Sequence, residues 1–390
     1  MGLMAVDHGA IDGLLADTLR GDSPADAQRS AAGADAKVIF ARITYHGVAG
    51  LLCDAPTAMA GWPGAVIKRV SDEAVVQTMW ELRHRQILNQ LLAELAAAKV
   101  VAILLKGTAL AYDLYPTPAA RARGDSDLLI DPGDLAQARL IFERLGFEQT
   151  SDSGEQADKF SLQEMWSRTC EGAMAHHIDL HWQTLNCPAL EAVLPVAECA
   201  ATRIALPRLG PDAMAMDRVR TLIHTCIHRM LNFSSPYFVG DRIYYGGDRL
   251  IWLHDIHLLA GALSEAEWDT FCRLAVAKGV AAACLDGLLT AQRFLATPVP
   301  NSVRAVLGAG SIASRPAAYL HARQLGRAWQ DFQAIPGVAR KLGFALTRAL
   351  PSSSFIRDKY PSHPGLPLLF LYIRRLFDLI RPRPTQSPER

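Results

Sequence analysis

The stretch from Val100 to Ile130, VVAILLKGTALAYDLYPTPAARARGDSDLLI, constrains what this chain can fold into more than any other. Its opening apolar run, Val100 to Leu105, reads as a buried strand. Lys106, Gly107 and Thr108 break the run, and Ala109 to Leu114 then reads as the first turns of a helix. A proline-containing loop, Tyr115 to Gly124, carries Arg121 and Arg123. Asp125 to Ile130 closes the unit as a second strand with two carboxylates at its start. Successive strand side chains alternate between faces, so Asp125 and Asp127 share one. Two carboxylates that close repel each other unless a cation sits between them. Oxygen donors of this kind suit Mg²⁺, which is usually held by one or two carboxylates plus substrate phosphates. Gly107 and Thr108 at a helix start would offer free backbone N–H groups to an anion. One strand–helix–strand unit thus pairs a phosphate cradle with a carboxylate pair.

Composition narrows the class. At 390 residues the chain can hold two or three domains and a substantial core. A formal charge of +1 gives no case for an extended nucleic-acid surface, which usually shows as a basic domain. The seven cysteines form no CxxC pair, so neither a zinc ribbon nor a disulfide framework is suggested. The N-terminal MGLMAVDHGAIDGLL lacks the basic flank and apolar core of a signal peptide. No uninterrupted apolar run reaches the length of a membrane span, and the expectation is a cytoplasmic protein.

Along the chain, the first 95 residues read as helical, with a loop over 25–35. A strong helix is predicted from Ser71 to Lys99, with Val75, Met79, Leu82, Ile87 and Leu91 as its apolar stripe. After Ile130, Leu135 to Leu145 reads as a helix, Phe147 to Thr150 as a strand and 151–158 as a loop. The run His176 to Trp182 alternates: Ile178, Leu180 and Trp182 face one way, His177, Asp179 and His181 the other. If this strand lies beside the Asp125/Asp127 pair, Asp179 completes a three-carboxylate site. The alternative is an edge strand with a solvated polar face. From Asp212 to Ala296 the pattern is helical, and the long connection Asn232 to Asp248 could border a cleft. The last ninety residues are basic and punctuated by proline. Within them Leu366 to Ile380 is an apolar stripe, read as burying against its own domain in preference to an interfacial helix.

These residues resemble the nucleotidyltransferase superfamily, of the polymerase-β-like fold, and within it a bacterial uncharacterised nucleotidyltransferase family. That family's LLKG-x-A-L…LYP…R…D-x-D-L-L-[IV] run is matched by Leu104 to Ile130, and its [VI]-D-L-H-W run by Ile178 to Trp182. A W-L-x-D segment is matched loosely by Trp252 to Asp255, and the likeness spans about Ile39 to Phe294. The resemblance implies an α+β fold with a small mixed β-sheet core. The core falls at 96–185, between an N-terminal helical region (1–95) and a larger C-terminal helical region. The latter divides into a helical domain (186–300) and a helical extension with a disordered tail (301–390). It further implies that Asp125, Asp127 and Asp179 hold Mg²⁺, with Mn²⁺ as the substitute, on a nucleoside triphosphate. Gly107 and Thr108 would touch the phosphates, and Lys106, Arg121 or Arg123 would add charge there. The expected reaction moves a nucleoside monophosphate, most simply AMP from ATP, to a hydroxyl on a small molecule, peptide or protein.

Two other readings are carried. His224 and His228 lie four apart on a predicted helix, with His254-Asp255 on another and Asp286 beyond, a pattern similar to HD-type metal phosphohydrolases. A satisfied set of core histidines is the plainer account, with Asp255 pairing Arg249. The second reading is a catalytically silent nucleotidyltransferase fold, a binding or antitoxin-like protein.

Overall fold

The computed structural model describes residues 8–22, 35–150, 162–170, 174–233, 236–239, 242–245, 247–310 and 314–350. It adds 353, 356–357, 360, 363 and 365–380 near the end. The loops expected over 25–34 and 151–158 and the tail beyond 380 lie outside the described residues. The fold is α+β. Its central sheet has seven strands: β1 (Ile103–Leu105), β2 (Asp125–Leu129), β3 (Glu148–Gln149), β4 (Gln163–Thr169), β5 (Ala175–His181), β6 (Ile204–Ala205) and β7 (Met214–Ala215). Their order is β3-β4-β5-β2-β1-β7-β6, with β2/β5 and β1/β7 parallel and the other pairs antiparallel.

Alternation gives the sheet two unlike faces. Leu104, Leu128, Ile178 and Leu180 turn to one side and are fully buried against Ile87, Leu91 and Leu95 of the Gly64–Ala97 helix and Phe142 of the Leu135–Arg144 helix. On the other side Ile103, Leu105 and Leu129 join a second core built by helices from both ends of the chain. There Leu15 of the His8–Arg20 helix shares a cluster with Leu222, Leu253 and Leu288 of the Arg218–Asn232, Leu250–Ala262 and Ala281–Leu295 helices. Among the described residues no helix is long and apolar enough to cross a membrane.

Several expectations are corrected. The Val100–Leu105 run supplies only a three-residue strand, because the preceding helix needs the first residues to close. Lys99 turns left-handed (φ +62°) and the Val100 N–H donates back to the Leu95 carbonyl, the pattern of a helix C-terminus. The next helix starts three residues early, at Lys106. The long helix starts at Gly64, and its buried stripe runs through Trp80, His84, Ile87, Leu88 and Leu91. Val75, Met79 and Leu82, half a turn away, are exposed. The run at β5 is no edge strand, since β4 and β2 flank it. The 232–248 connection folds into a hairpin, Pro236–Val239 with Arg242–Tyr245. The Leu366–Ile380 stripe buries against its own domain only in part: Leu371 packs with Ile356 and Tyr360, while Leu369, Phe370, Ile373 and Phe377 are exposed.

Candidate active site

The polar members of the alternation meet where β2 and β5 run parallel. The register sets Asp127 opposite Asp179, with Asp125 opposite His177 and Leu129 opposite His181. Asp127 and Asp179 are both buried. One donor atom each from Asp127, Asp179 and His181 lies within 4.8 Å of the other two. Asp125, at the exposed start of β2, shares the face but falls outside that cluster. His181, missing from the expected ligand set, was on the same face of the alternation as Asp179; the strand period was the signal for it.

Lys106 reaches into this cluster from the turn between β1 and the Lys106–Asp113 helix. Its backbone is left-handed, with φ +48°, a conformation that costs a side-chain-bearing residue about 1 kcal/mol. Its Nζ lies 2.5 Å from Asp127 Oδ1, and His181 Nε2 lies 2.9 Å from the same oxygen. Burial alone would raise the Asp127 pKa, but the Lys106 charge and the His181 hydrogen bond outweigh it and hold the carboxyl well below its usual range. Burial would likewise lower Lys106, and Asp127 reverses that, keeping the ammonium charged. His181 is held below the usual imidazole range by burial, against the pull of Asp127. A carboxylate can only accept, so the neutral ring donates Nε2–H to Asp127. Its Nδ1 is buried without a hydrogen-bond partner.

The facing wall comes from the Arg218–Asn232 helix, tied to the site's own helix by Arg218 on Asp113 at 2.8 Å. His224 Nε2 bonds the Thr184 carbonyl at 3.0 Å, and burial, helped by the Lys106 charge, pushes the ring down to about 4. His228, edge-on to Trp252, is held well below its usual range by burial and then by Lys106. Both rings stand neutral in the field of Lys106.

The other expected phosphate-binding groups have internal partners. Arg121 clamps Asp255 of the Leu250–Ala262 helix: Nε is 2.9 Å from Oδ1 and Nη2 is 2.7 Å from Oδ2, while Nη1 donates to the Ala122 carbonyl. Tyr115 donates to the same carboxylate at 2.7 Å. Arg123 donates to Glu81, to the Pro118 and Arg121 carbonyls and to Thr108 Oγ1. Thr108 also bonds Ser126 at 2.7 Å, and Ser126 meets His84 at 2.7 Å, whose other nitrogen is 3.3 Å from His176. This buried chain lies behind β2 and fixes the strand that carries the carboxylates. Gly107 sits under Arg121: a Cβ there would meet the guanidinium carbon at 3.4 Å.

The phosphohydrolase pattern does not assemble. Asp255 belongs to Arg121, Asp286 to Arg229, His254 to the Tyr115 hydroxyl and His224 to a backbone carbonyl. Among the described residues the three-donor cluster is Asp127, Asp179 and His181 alone. Its chemistry fits a divalent cation: two hard carboxylates and a neutral imidazole, whose charge Lys106 now offsets.

No curated protein shows a significant match to the chain. A family described as uncharacterised nucleotidyltransferase matches residues 32–296, about two thirds of the sequence, with the carboxylate strands and the facing helical wall inside the matched span. The chain therefore belongs to that nucleotidyltransferase family.

Proposed function

We propose that this protein transfers a nucleoside monophosphate, most simply AMP from ATP, to a hydroxyl acceptor carried by a small molecule, a peptide or a protein side chain. The acceptor oxygen forms a bond to the α-phosphorus, the bond to the leaving pyrophosphate breaks, and the hydroxyl proton is lost. The observation that carries the reading is the in-register pair Asp127/Asp179 on parallel strands, buried against a helical wall in a chain of this family. Asp127, Asp179 and His181 would hold a divalent cation, Mg²⁺ or Mn²⁺, with Asp125 completing the set from the solvent side. Such an ion supplies charge to the triphosphate and lowers the pKa of the attacking hydroxyl. Lys106 keeps Asp127 ionised until then and stands ready as a point charge for a phosphate. The first turn of the Lys106–Asp113 helix has no capping side chain, so its N–H groups are available to the same anion. Arg121, Arg123 and Thr108 act as positioning groups behind these, holding the loop and strand. The reading takes a compact acceptor in preference to a long nucleic acid, and the cytoplasm as the setting.

The test is transfer of label from ATP, GTP, CTP and UTP into acceptors of a cell lysate with Mg²⁺ or Mn²⁺, comparing wild type with Asp127→Asn. Label incorporated by wild type alone supports the reading; equal incorporation by both overturns it. A catalytically silent nucleotide-binding protein is the second reading. It is favoured by one observation, that Thr108, Arg121 and Arg123 already have internal partners. Nucleotide binding with no transfer to any acceptor would select it.

A further inference from the structure

We propose that the C-terminal helices form a surface that docks this protein on an anionic lipid bilayer. Three helices build it: Gln324–Ala334, Val338–Ala349 and Leu368–Ile380, the first packing against both others. Arg375 closes the group by donating to the Arg348 carbonyl at 2.7 Å. The last helix turns Leu371 inward to a small core with Ile356 and Tyr360. Its opposite side is apolar and open: Leu369 is 67 % exposed, Phe370 58 % and Phe377 60 %. Leu369, Ile373 and Phe377 recur every four residues, with Phe370 seven before Phe377, so these form a stripe. The Val338–Ala349 helix repeats the arrangement, with Phe344 buried and Leu342 and Leu346 about 60 % exposed at a spacing of four. Half of the exposed large apolar side chains among the described residues fall after residue 320, Trp329 included.

Charge identifies the occupant. Residues 301–390 hold 14 Lys and Arg against 4 Asp and Glu, which leaves 26 against 35 in the first 300. A chain that is nearly neutral as a whole is thus a surplus of ten positive charges at one end and nine negative charges elsewhere. Lys341 and Arg374 lie at the edges of the apolar stripes in the helical wheel, and Arg348 is exposed on the same group of helices. An apolar face flanked by Lys and Arg, with Trp and Phe among its apolar residues, is the composition of a helix that lies in the headgroup region. Anionic lipids supply the complementary charge near the surface. Two copies meeting through this same face would set arginine against arginine, which disfavours self-association. Among the described residues no helix is both long and apolar enough to cross a membrane, and the surface proposed here lies on the bilayer. This surface is independent of the carboxylate cluster and of the transfer reaction.

Flotation of the full-length chain with phosphatidylcholine vesicles, with and without phosphatidylglycerol, tests it, alongside light scattering for the oligomeric state. Binding to the anionic vesicles should exceed that to neutral ones about tenfold or more, as several basic residues near the surface require. It should fall in about 1 M salt, where the screening length drops to about 3 Å. Phe370→Glu/Phe377→Glu should abolish it, as should Leu342→Glu/Leu346→Glu on the neighbouring helix. All four positions are exposed, so circular dichroism should stay native. Equal binding to neutral and anionic vesicles, no binding to either, or variants that still float would each overturn the proposal. So would a dimer that these variants split while no vesicle binds, which would make the face a contact between copies.

Discussion

Lys106→Met tests the polarity of the site most directly. In the wild type the Lys106 side chain is 27 % exposed and sets its ammonium 2.5 Å from Asp127 Oδ1, whose side chain is 7 % exposed. Removing one partner of a buried ion pair costs about 3–5 kcal/mol because a charge is left buried. Here the Lys106 side chain is partly solvated and His181 still donates to Asp127, so the cost falls just below that range, about 2–3 kcal/mol. Lys106→Gly is the control. It deletes the same pair but removes the strain of φ +48°, so it should be more stable than the Met variant by about 1 kcal/mol. Mg²⁺ or Mn²⁺ should then stabilise Lys106→Met more than wild type, because the cation no longer competes with the ammonium for Asp127. An ion present at a hundredfold excess over its Kd adds about 2.7 kcal/mol. Urea unfolding followed by circular dichroism, first with EDTA and then with each metal, measures both effects. If Lys106→Met is as stable as wild type in EDTA, the ion pair does not set the state of Asp127. If metal stabilises neither protein, the carboxylates are not a cation site.

Other outcomes follow from the same geometry. Asp127→Asn should abolish metal-dependent transfer and also destabilise the metal-free protein by about 2–3 kcal/mol, since it leaves the partly solvated Lys106 ammonium without its carboxylate; unfolding with EDTA reads the second effect. Gly107→Ala should be tolerated, whereas Gly107→Val should push the Arg121 guanidinium, now 3.4 Å from the added Cβ, off Asp255 and lower stability. Arg121→Met should cost about 3–5 kcal/mol by leaving Asp255 buried without its cation. Thr108→Ala should cost about 1–2 kcal/mol through the lost Ser126 and Arg123 bonds, again seen by urea unfolding. His176 is fully buried and its pKa is lowered to about 4, chiefly by burial. The unfolded chain takes up this proton near pH 6.5, the folded one only near 4. Stability should therefore fall by about 3 kcal/mol as pH drops through that window, and a flat profile between pH 7 and 4 would contradict a neutral buried ring.

The carboxylate strands were legible in the sequence because a two-residue period in a half-buried strand leaves few choices. Alternation puts Asp125 with Asp127 on one face of their strand and Asp179 with His181 on one face of theirs, and the parallel pairing of β2 with β5 then sets Asp127 against Asp179. What remained hidden depends on partners distant in the sequence. Arg121 reads as a free loop cation until Asp255, 134 residues later, is folded against it. Glu81, in a helix that reads as a simple packing element, takes up Arg123. The Val75–Leu82 stripe is exposed against expectation because a helix shows its period in the sequence but not which of two apolar stripes the core will cover.

Gly107 shows how one residue can meet a functional and a packing demand together. A phosphate drawn onto the Gly107 N–H would approach most closely where no side chain stands in the way. The structure places the Arg121 guanidinium over that position, clamped by Asp255 from the helical region. The same glycine thus lets the helical region lock onto the turn that presents Lys106. The two demands separate by experiment. Gly107→Ala leaves Arg121 in ordinary van der Waals contact, so it should keep the stability of wild type. If a phosphate needs the bare backbone, the Ala variant should bind ATP–Mg²⁺ more weakly with unfolding unchanged. If the glycine serves Arg121 alone, nucleotide affinity should be unaltered, and the anion must then be met by Lys106 and the helix N-terminus from the opposite side of the turn.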